Sequence, residues 1–136
     1  MNSKNRDEKR KRLGDAELEI MLVLWEAPEP VTSGYILERL HGRRDWALST
    51  LMTILARLAE KGFVYCDRNT RTNYYTALIS AKDYRAGESR SFLERLYGNS
   101  LPSFVASLYD SKAIDESDLS ELRQFLDNLE GGEHDA

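Results

Sequence analysis

Apolar residues in the first sixty positions fall three and four apart, the period of helices that bury one face. Gly14-Asp15 opens the first, with Asp15 as N-cap and Glu17 and Glu19 in the first turn, where the helix dipole favours acids. Leu18, Met21, Leu22 and Trp25 form its expected buried stripe. Ala27-Pro28-Glu29-Pro30 stops it, because proline cannot continue a helix. Thr32 caps a second, short helix from about Ser33 to His41, with Ile36, Leu37 and Leu40 inward and His41-Gly42 as the stop. After a turn over Arg43 to Ala47, a third helix starts at Ser49 or its neighbour and runs to about Lys61, closed by Gly62. Leu51, Ile54, Leu55 and Leu58 follow the i, i+3, i+4, i+7 rule and face inward. Ser49, Met52, Thr53, Ala56 and Arg57 are left outside, with no carboxylate before Glu60.

The period then drops to two. Phe63-Val64-Tyr65-Cys66 and Asn73 to Ile79 are β-branched and aromatic, and Asp67 to Thr72 between them is polar, which predicts a β-hairpin with a basic tip. Helical spacing returns afterwards. Ser80-x-x-Asp83 opens a fourth helix with Tyr84, Phe92, Leu93, Leu96 and Tyr97 on its apolar side and Gly98 at its end. Pro102 suits the first turn of a fifth, whose apolar residues are Phe104, Val105, Leu108 and Tyr109. Asp115 caps a sixth, with Leu119, Leu122, Leu126 and Leu129 on one face and Gly131-Gly132 as its stop.

Three helices followed by a hairpin are the order of a winged helix-turn-helix, so the expected class is mainly α with a small hairpin, followed by a C-terminal helical region. The expected division is a flexible basic tail at 1–13, a winged-helix DNA-binding domain at 14–80 and a helical dimerisation region at 81–136. In this architecture the third helix enters the major groove and the wing lies on the backbone or minor groove. The DNA-contact candidates are Ser49, Thr50, Met52, Thr53 and Arg57 on the helix, Arg43 and Arg44 beside it, and Arg68, Arg71 and Tyr74 on the wing. Thr32 and Ser33, at a helix N-terminus, join them. Each has a plainer alternative: Ser49 or Thr50 as a helix cap, Arg57 as a solvated charge, Met52 as an ordinary surface side chain, Tyr74 as a support for the wing.

Charge changes the picture. The net charge of −4 looks wrong for a nucleic-acid binder, but residues 1–82 carry 14 Lys/Arg against 11 Asp/Glu, and residues 83–136 carry 5 against 12. A basic working end and an acidic end with another task is the reading this favours. The C-terminal stripes need more cover than they can give one another, and a second copy of the chain would supply it. Phe92, Leu96, Phe104, Val105, Leu108, Leu119, Leu122, Leu126 and Leu129 are therefore the dimerisation candidates. Nothing in the 136 residues approaches the roughly 18 apolar positions of a membrane helix. A single cysteine, Cys66, excludes a disulfide framework and a multi-cysteine zinc site, and the expected compartment is the cytoplasm. No catalytic triad order, phosphate-cradling glycine loop or His-Glu-x-x-His run occurs, so neither an enzyme nor a cofactor is expected.

Several segments together resemble the penicillinase repressor family, the bacterial β-lactamase and methicillin-resistance repressors. They are Leu13-Gly14-Asp15-Ala16-Glu17-Leu18-Glu19-Ile20-Met21 with Leu24-Trp25, Arg44-Asp45-Trp46, Ser49 to Leu58, Glu60-Lys61-Gly62-Phe63, Tyr74-Tyr75, Ser91-Phe92-Leu93 and Tyr97-Gly98. The resemblance implies a homodimeric repressor on a palindromic operator, silencing resistance or stress genes. It also implies control by a membrane sensor protease that cuts the dimerisation region. The chain departs from the family pattern at three places. Well-known members have an asparagine–phenylalanine bond in the fifth helix where this chain has Ser107-Leu108. Positions basic in those members are Ser49 and Met52 here. The paired C-terminal cysteines of copper-responsive relatives are absent. Two rival readings are a ligand-responsive regulator, with a pocket lined by Tyr84, Phe92, Phe104 and Tyr109, and a winged-helix module for protein contact.

Overall fold

The structure is a computed structural model that describes residues 12–133. Its elements follow in the order α1 (Asp15–Glu26), α2 (Ser33–Leu40), α3 (Leu48–Glu60), β1 (Val64–Asp67), β2 (Tyr74–Ala77), α4 (Ala81–Tyr97), α5 (Leu101–Asp110) and α6 (Glu116–Glu133). The chain forms two compact units that divide between Glu88 and Ser89, within α4.

In the first unit, α1, α2 and α3 pack on one another and on the hairpin. Ile20, Met21, Ile36, Leu40, Leu51, Leu55, Leu58, Phe63 and Val64 are the most deeply buried side chains. Helix α1 starts one residue earlier than its sequence suggests. Gly14 takes the cap position, and its N–H donates to Glu17 Oε1 at 2.9 Å, so Asp15 is already helical. Its buried face also differs from the expected stripe: Ile20, Met21, Val23 and Leu24 are inside, while Leu22 turns outward. The reason is that α2, α3 and β2 pack on the arc formed by Glu17, Ile20, Met21, Val23 and Leu24, and Leu22 falls on the opposite side of the helix. Thr32 caps α2 as expected, accepting from the Tyr35 N–H at 3.1 Å.

The junction between α3 and the hairpin is a tight reversal. Gly62 has φ +86°, a conformation that costs any residue with a Cβ. The Gly62 N–H donates to the Ala59 carbonyl at 3.1 Å and the Phe63 N–H to the Leu58 carbonyl at 2.9 Å, the paired bonds of a Schellman ending. Phe63 is thereby turned into the core and β1 begins one residue later. The two strands are antiparallel, with Val64 opposite Ala77 and Cys66 opposite Tyr75. On its other side β2 bridges to Val31: the Tyr75 N–H donates to the Val31 carbonyl at 2.7 Å, and the Val31 N–H donates to the Tyr75 carbonyl at 3.2 Å.

Leu13, counted with the tail in the sequence reading, belongs to this core. It is 8% exposed, and its N–H donates to the Tyr84 hydroxyl at 3.1 Å. Tyr84 packs on Trp25 and, edge-on, on Phe63. The rest of the expected basic tail, residues 1–11, lies outside the described residues.

The second unit holds the remainder of α4 with α5 and α6. Phe92, Tyr97 and Phe104 form one aromatic cluster, with ring centroids 5.2–5.9 Å apart. Ser100 caps α5, and Asp115 and Asp118 cap α6 by exchanging backbone-to-carboxylate bonds of 2.8 and 3.0 Å. Gly131-Gly132 does not end α6, which runs through to Glu133. Glycine weakens a helix but stops it only where the backbone turns left-handed, as at Gly62 and at Gly98 after α4. Among the described residues, no side chain from Ser89 onward is fully buried. Leu96, Phe125, Leu126 and Leu129 are all open to solvent by two fifths or more.

Candidate nucleic-acid interface

The site is built on α3. Its inner residues Leu51, Ile54, Leu55 and Leu58 are buried, which fixes the rotation of the helix about its axis. The same rotation places Ser49, Thr50, Met52, Thr53, Ala56 and Arg57 on the open face. The N-cap position is Ala47, so neither Ser49 nor Thr50 caps the helix, and both hydroxyls sit in its first turn. Thr53 donates its hydroxyl to the Ser49 carbonyl at 3.0 Å, which leaves the oxygen lone pairs to accept from outside.

Two carboxylates of α1 pin both ends of this helix, a feature the sequence reading missed. Glu17 is 5% exposed, and both its oxygens accept from Lys61 Nζ at 2.8 Å, at the C-terminal end of α3. Burial pushes the Glu17 carboxyl up. Hydrogen bonds from Lys61 and the Gly14 N–H, with the charges of Lys61 and Arg57, outweigh it and hold the group below the usual carboxylate range. Glu19 Oε1 accepts from Arg44 Nε at 2.9 Å, in the turn before α3, and the guanidinium lies 5.6 Å from the Trp46 ring centroid. Arg44 is therefore tied into the fold, whereas Arg43 beside it is exposed. Glu17 and Glu19 looked in the sequence like simple partners of the helix dipole.

The wing tip exposes Arg68 and Arg71. An Asx turn, with Asn69 N–H donating to Asp67 Oδ1 at 2.9 Å, shapes it. Tyr74 points outward, while its neighbour Tyr75 is 4% exposed. The Tyr75 hydroxyl donates to Met52 Sδ at 3.9 Å, joining the wing to the open face of α3. Thr32 and Ser33 are half-buried at the start of α2, where the Thr32 oxygen is engaged as the cap.

In the second unit, the dimerisation candidates Phe92, Phe104, Val105, Leu108, Leu119 and Leu122 are half-buried, and Leu96, Leu126 and Leu129 are exposed. Ser107 accepts from the Tyr97 hydroxyl at 3.0 Å within α5, and Leu108 follows it in the helix. The four aromatics of the rival ligand pocket go to three different places. Tyr84 is in the first unit's core, Phe92 and Phe104 pack on each other, and Tyr109 donates to Glu116 at 2.9 Å.

A helix-turn-helix with its second helix open on one face, followed by a two-stranded wing, defines the winged-helix class of DNA-binding proteins. The chain belongs to the penicillinase repressor family, whose pattern it matches over residues 13–128. It is 31% identical over 116 residues to the penicillinase repressor of Bacillus licheniformis, a match covering 85% of this chain and 90% of that one. It is 34% identical over 122 residues to the transcriptional regulator BlaI of Mycobacterium tuberculosis (strain CDC 1551 / Oshkosh), covering 89% and 87%. The solution structure of the monomeric form of Bacillus licheniformis BlaI in complex with the blaP half-operator is similar, with a TM-score of 0.47 and 31% identity, over 54% of this chain and 89% of that one.

Proposed function

We propose that this protein is a transcriptional repressor that binds an operator in double-stranded DNA as a homodimer. The observation that carries this reading is the open face of α3, whose hydroxyls, thioether and Arg57 are held outward by four buried aliphatic side chains. Arg57 suits a guanine edge or a phosphate, and Ser49, Thr50 and Thr53 suit base edges or phosphates. Arg43, Arg68 and Arg71 supply phosphate or minor-groove contacts at either side. The compartment such a role requires is the cytoplasm.

The second unit supports pairing. A helical unit none of whose described side chains is fully buried needs a partner surface, and α6 offers half-buried Leu122 with exposed Phe125, Leu126 and Leu129 for it. Two recognition helices then face two half-sites of a palindrome. Relief by a membrane sensor protease would act on this same unit. The Ser107-Leu108 bond lies inside α5, so cleavage there requires local unfolding of that helix first.

The test is binding to a duplex from the protein's own upstream region, against a scrambled duplex, across a salt series. The expected result is a specific complex with two chains per site, weakening steeply as salt rises. Equal, salt-insensitive binding to both duplexes would overturn the reading in favour of a protein-contact module.

A further inference from the structure

The contact between Tyr75 and Met52 joins the two elements that flank the DNA-facing surface. Tyr75 is a fixed point. Its backbone bridges Val31 on one side and pairs with Cys66 of β1 on the other. Because its N–H is committed to Val31, the pair with Cys66 is of the non-hydrogen-bonded kind, in which side chains lie closest. Its ring is buried, and its hydroxyl reaches Met52 on α3. Burial, with the neighbouring Cys66 thiol, pushes the phenol up from its ordinary value, so the hydroxyl stays protonated and remains a donor.

Met52 is the opposite kind of side chain. It is unbranched, with three rotatable bonds, and a free methionine on a helix surface samples many rotamers. A reader of bases has to present one shape. A hydroxyl held 3.9 Å from Sδ favours the Met52 rotamers that keep this contact, and so narrows where the terminal methyl lies. An apolar methyl on the outer face of a major-groove helix matches the thymine C5-methyl, which marks an A·T pair in that groove.

We propose that Met52 is a specificity-determining residue that reads a thymine methyl, and that Tyr75 is a positioning residue that holds Met52 in the reading conformation. This rests on the assignment of α3 as the recognition helix. The operator would then carry, in each half-site, a thymine whose recognition depends on both residues.

Selection from a pool of randomised duplexes tests this, run with the wild type, Met52→Ala, Tyr75→Phe, Met52→Leu and the Met52→Leu/Tyr75→Phe pair. Tyr75→Phe keeps the buried ring and removes only the hydroxyl, and its thermal midpoint checks that the fold is intact. The wild type should enrich one thymine per half-site, and uracil at that position should weaken binding roughly 3–5-fold, the size expected for one lost methyl contact. Met52→Ala and Tyr75→Phe should both flatten the preference at that position and no other. In the Met52→Leu background, which lacks the sulfur acceptor, Tyr75→Phe should change nothing further. A selected sequence that is the same for all variants overturns the proposal while leaving the repressor reading intact. A preference lost in Met52→Ala but kept in Tyr75→Phe removes Tyr75 from it. If the wild type enriches no sequence at all, the recognition-helix assignment and the proposal fall together.

Discussion

Replacing Lys61 by methionine should destabilise the protein more than replacing its partner Glu17 by glutamine, although each removes the same ion pair. The asymmetry comes from burial. The Glu17 side chain is 6% exposed and the Lys61 side chain 22%. Lys61→Met therefore strands a carboxylate inside the protein with the Gly14 N–H as its remaining donor. Removing one partner of a buried pair costs about 3–5 kcal/mol, and the partial exposure of Lys61 puts this case near 3. Glu17→Gln keeps an acceptor for the Gly14 N–H and leaves Lys61 able to reach water, so about 1–2 kcal/mol is expected. The double variant should cost less than the two singles together by about 1–2 kcal/mol, because it strands no charge. Urea unfolding of the four proteins at one fixed protomer concentration gives all three numbers. The pH dependence supplies an independent check. The folded Glu17 carboxyl lies below its ordinary value of 4.5, so the unfolded chain binds the proton more readily. Its contribution is complete above about pH 4.5 and is lost as pH falls through the folded value, a loss that Glu17→Gln should not show. Equal costs for the two single variants, or strict additivity in the double, would refute the argument from burial.

Other expectations follow from the same geometry. Arg57→Ala should cost about 1–3 kcal/mol on the operator, read by fluorescence anisotropy, and unchanged affinity would remove Arg57 from the interface. Arg44→Ala should lower thermal stability, since Glu19 already has one buried oxygen without a partner, while leaving the salt dependence of DNA binding alone. A salt slope reduced by about one would instead place Arg44 on a phosphate. Gly62→Ala should destabilise by about 1–2 kcal/mol, the cost of a Cβ in the left-handed region, and a neutral result would mean that the turn relaxes. Glutamate at both Leu126 and Leu129 should yield monomers in sedimentation, and a retained dimer would move the pairing surface off α6.

The two faces of α3 were legible in the sequence because one period sorts Leu51, Ile54, Leu55 and Leu58 from Ser49, Met52, Thr53 and Arg57. The hairpin was legible for a similar reason, in the change of period at Phe63. What was hidden lies in long-range pairing. Arg44 meets Glu19 across 25 residues, and Lys61 meets Glu17 across 44. Helix charge patterns report neighbours three or four apart and are silent on such partners. The outward turn of Leu22 was hidden for a related reason, since apolar residues lie on several sides of α1 and long-range packing decides which arc is buried. Tyr75 could have been suspected from alternation beside the exposed Tyr74, but the reach of its hydroxyl to Met52 depends on how the wing folds back.

That no described side chain from Ser89 onward is fully buried bears on how the cell sets the level of repression. Under the proposed pairing, the acidic half is completed only when two chains meet. Occupancy of an operator then follows the product of two concentrations, not one. At protein levels near the pairing constant, halving the number of copies removes more than half of the bound complexes. Gene control of this kind responds to dose, so any process that thins the population of intact chains becomes a sharp release.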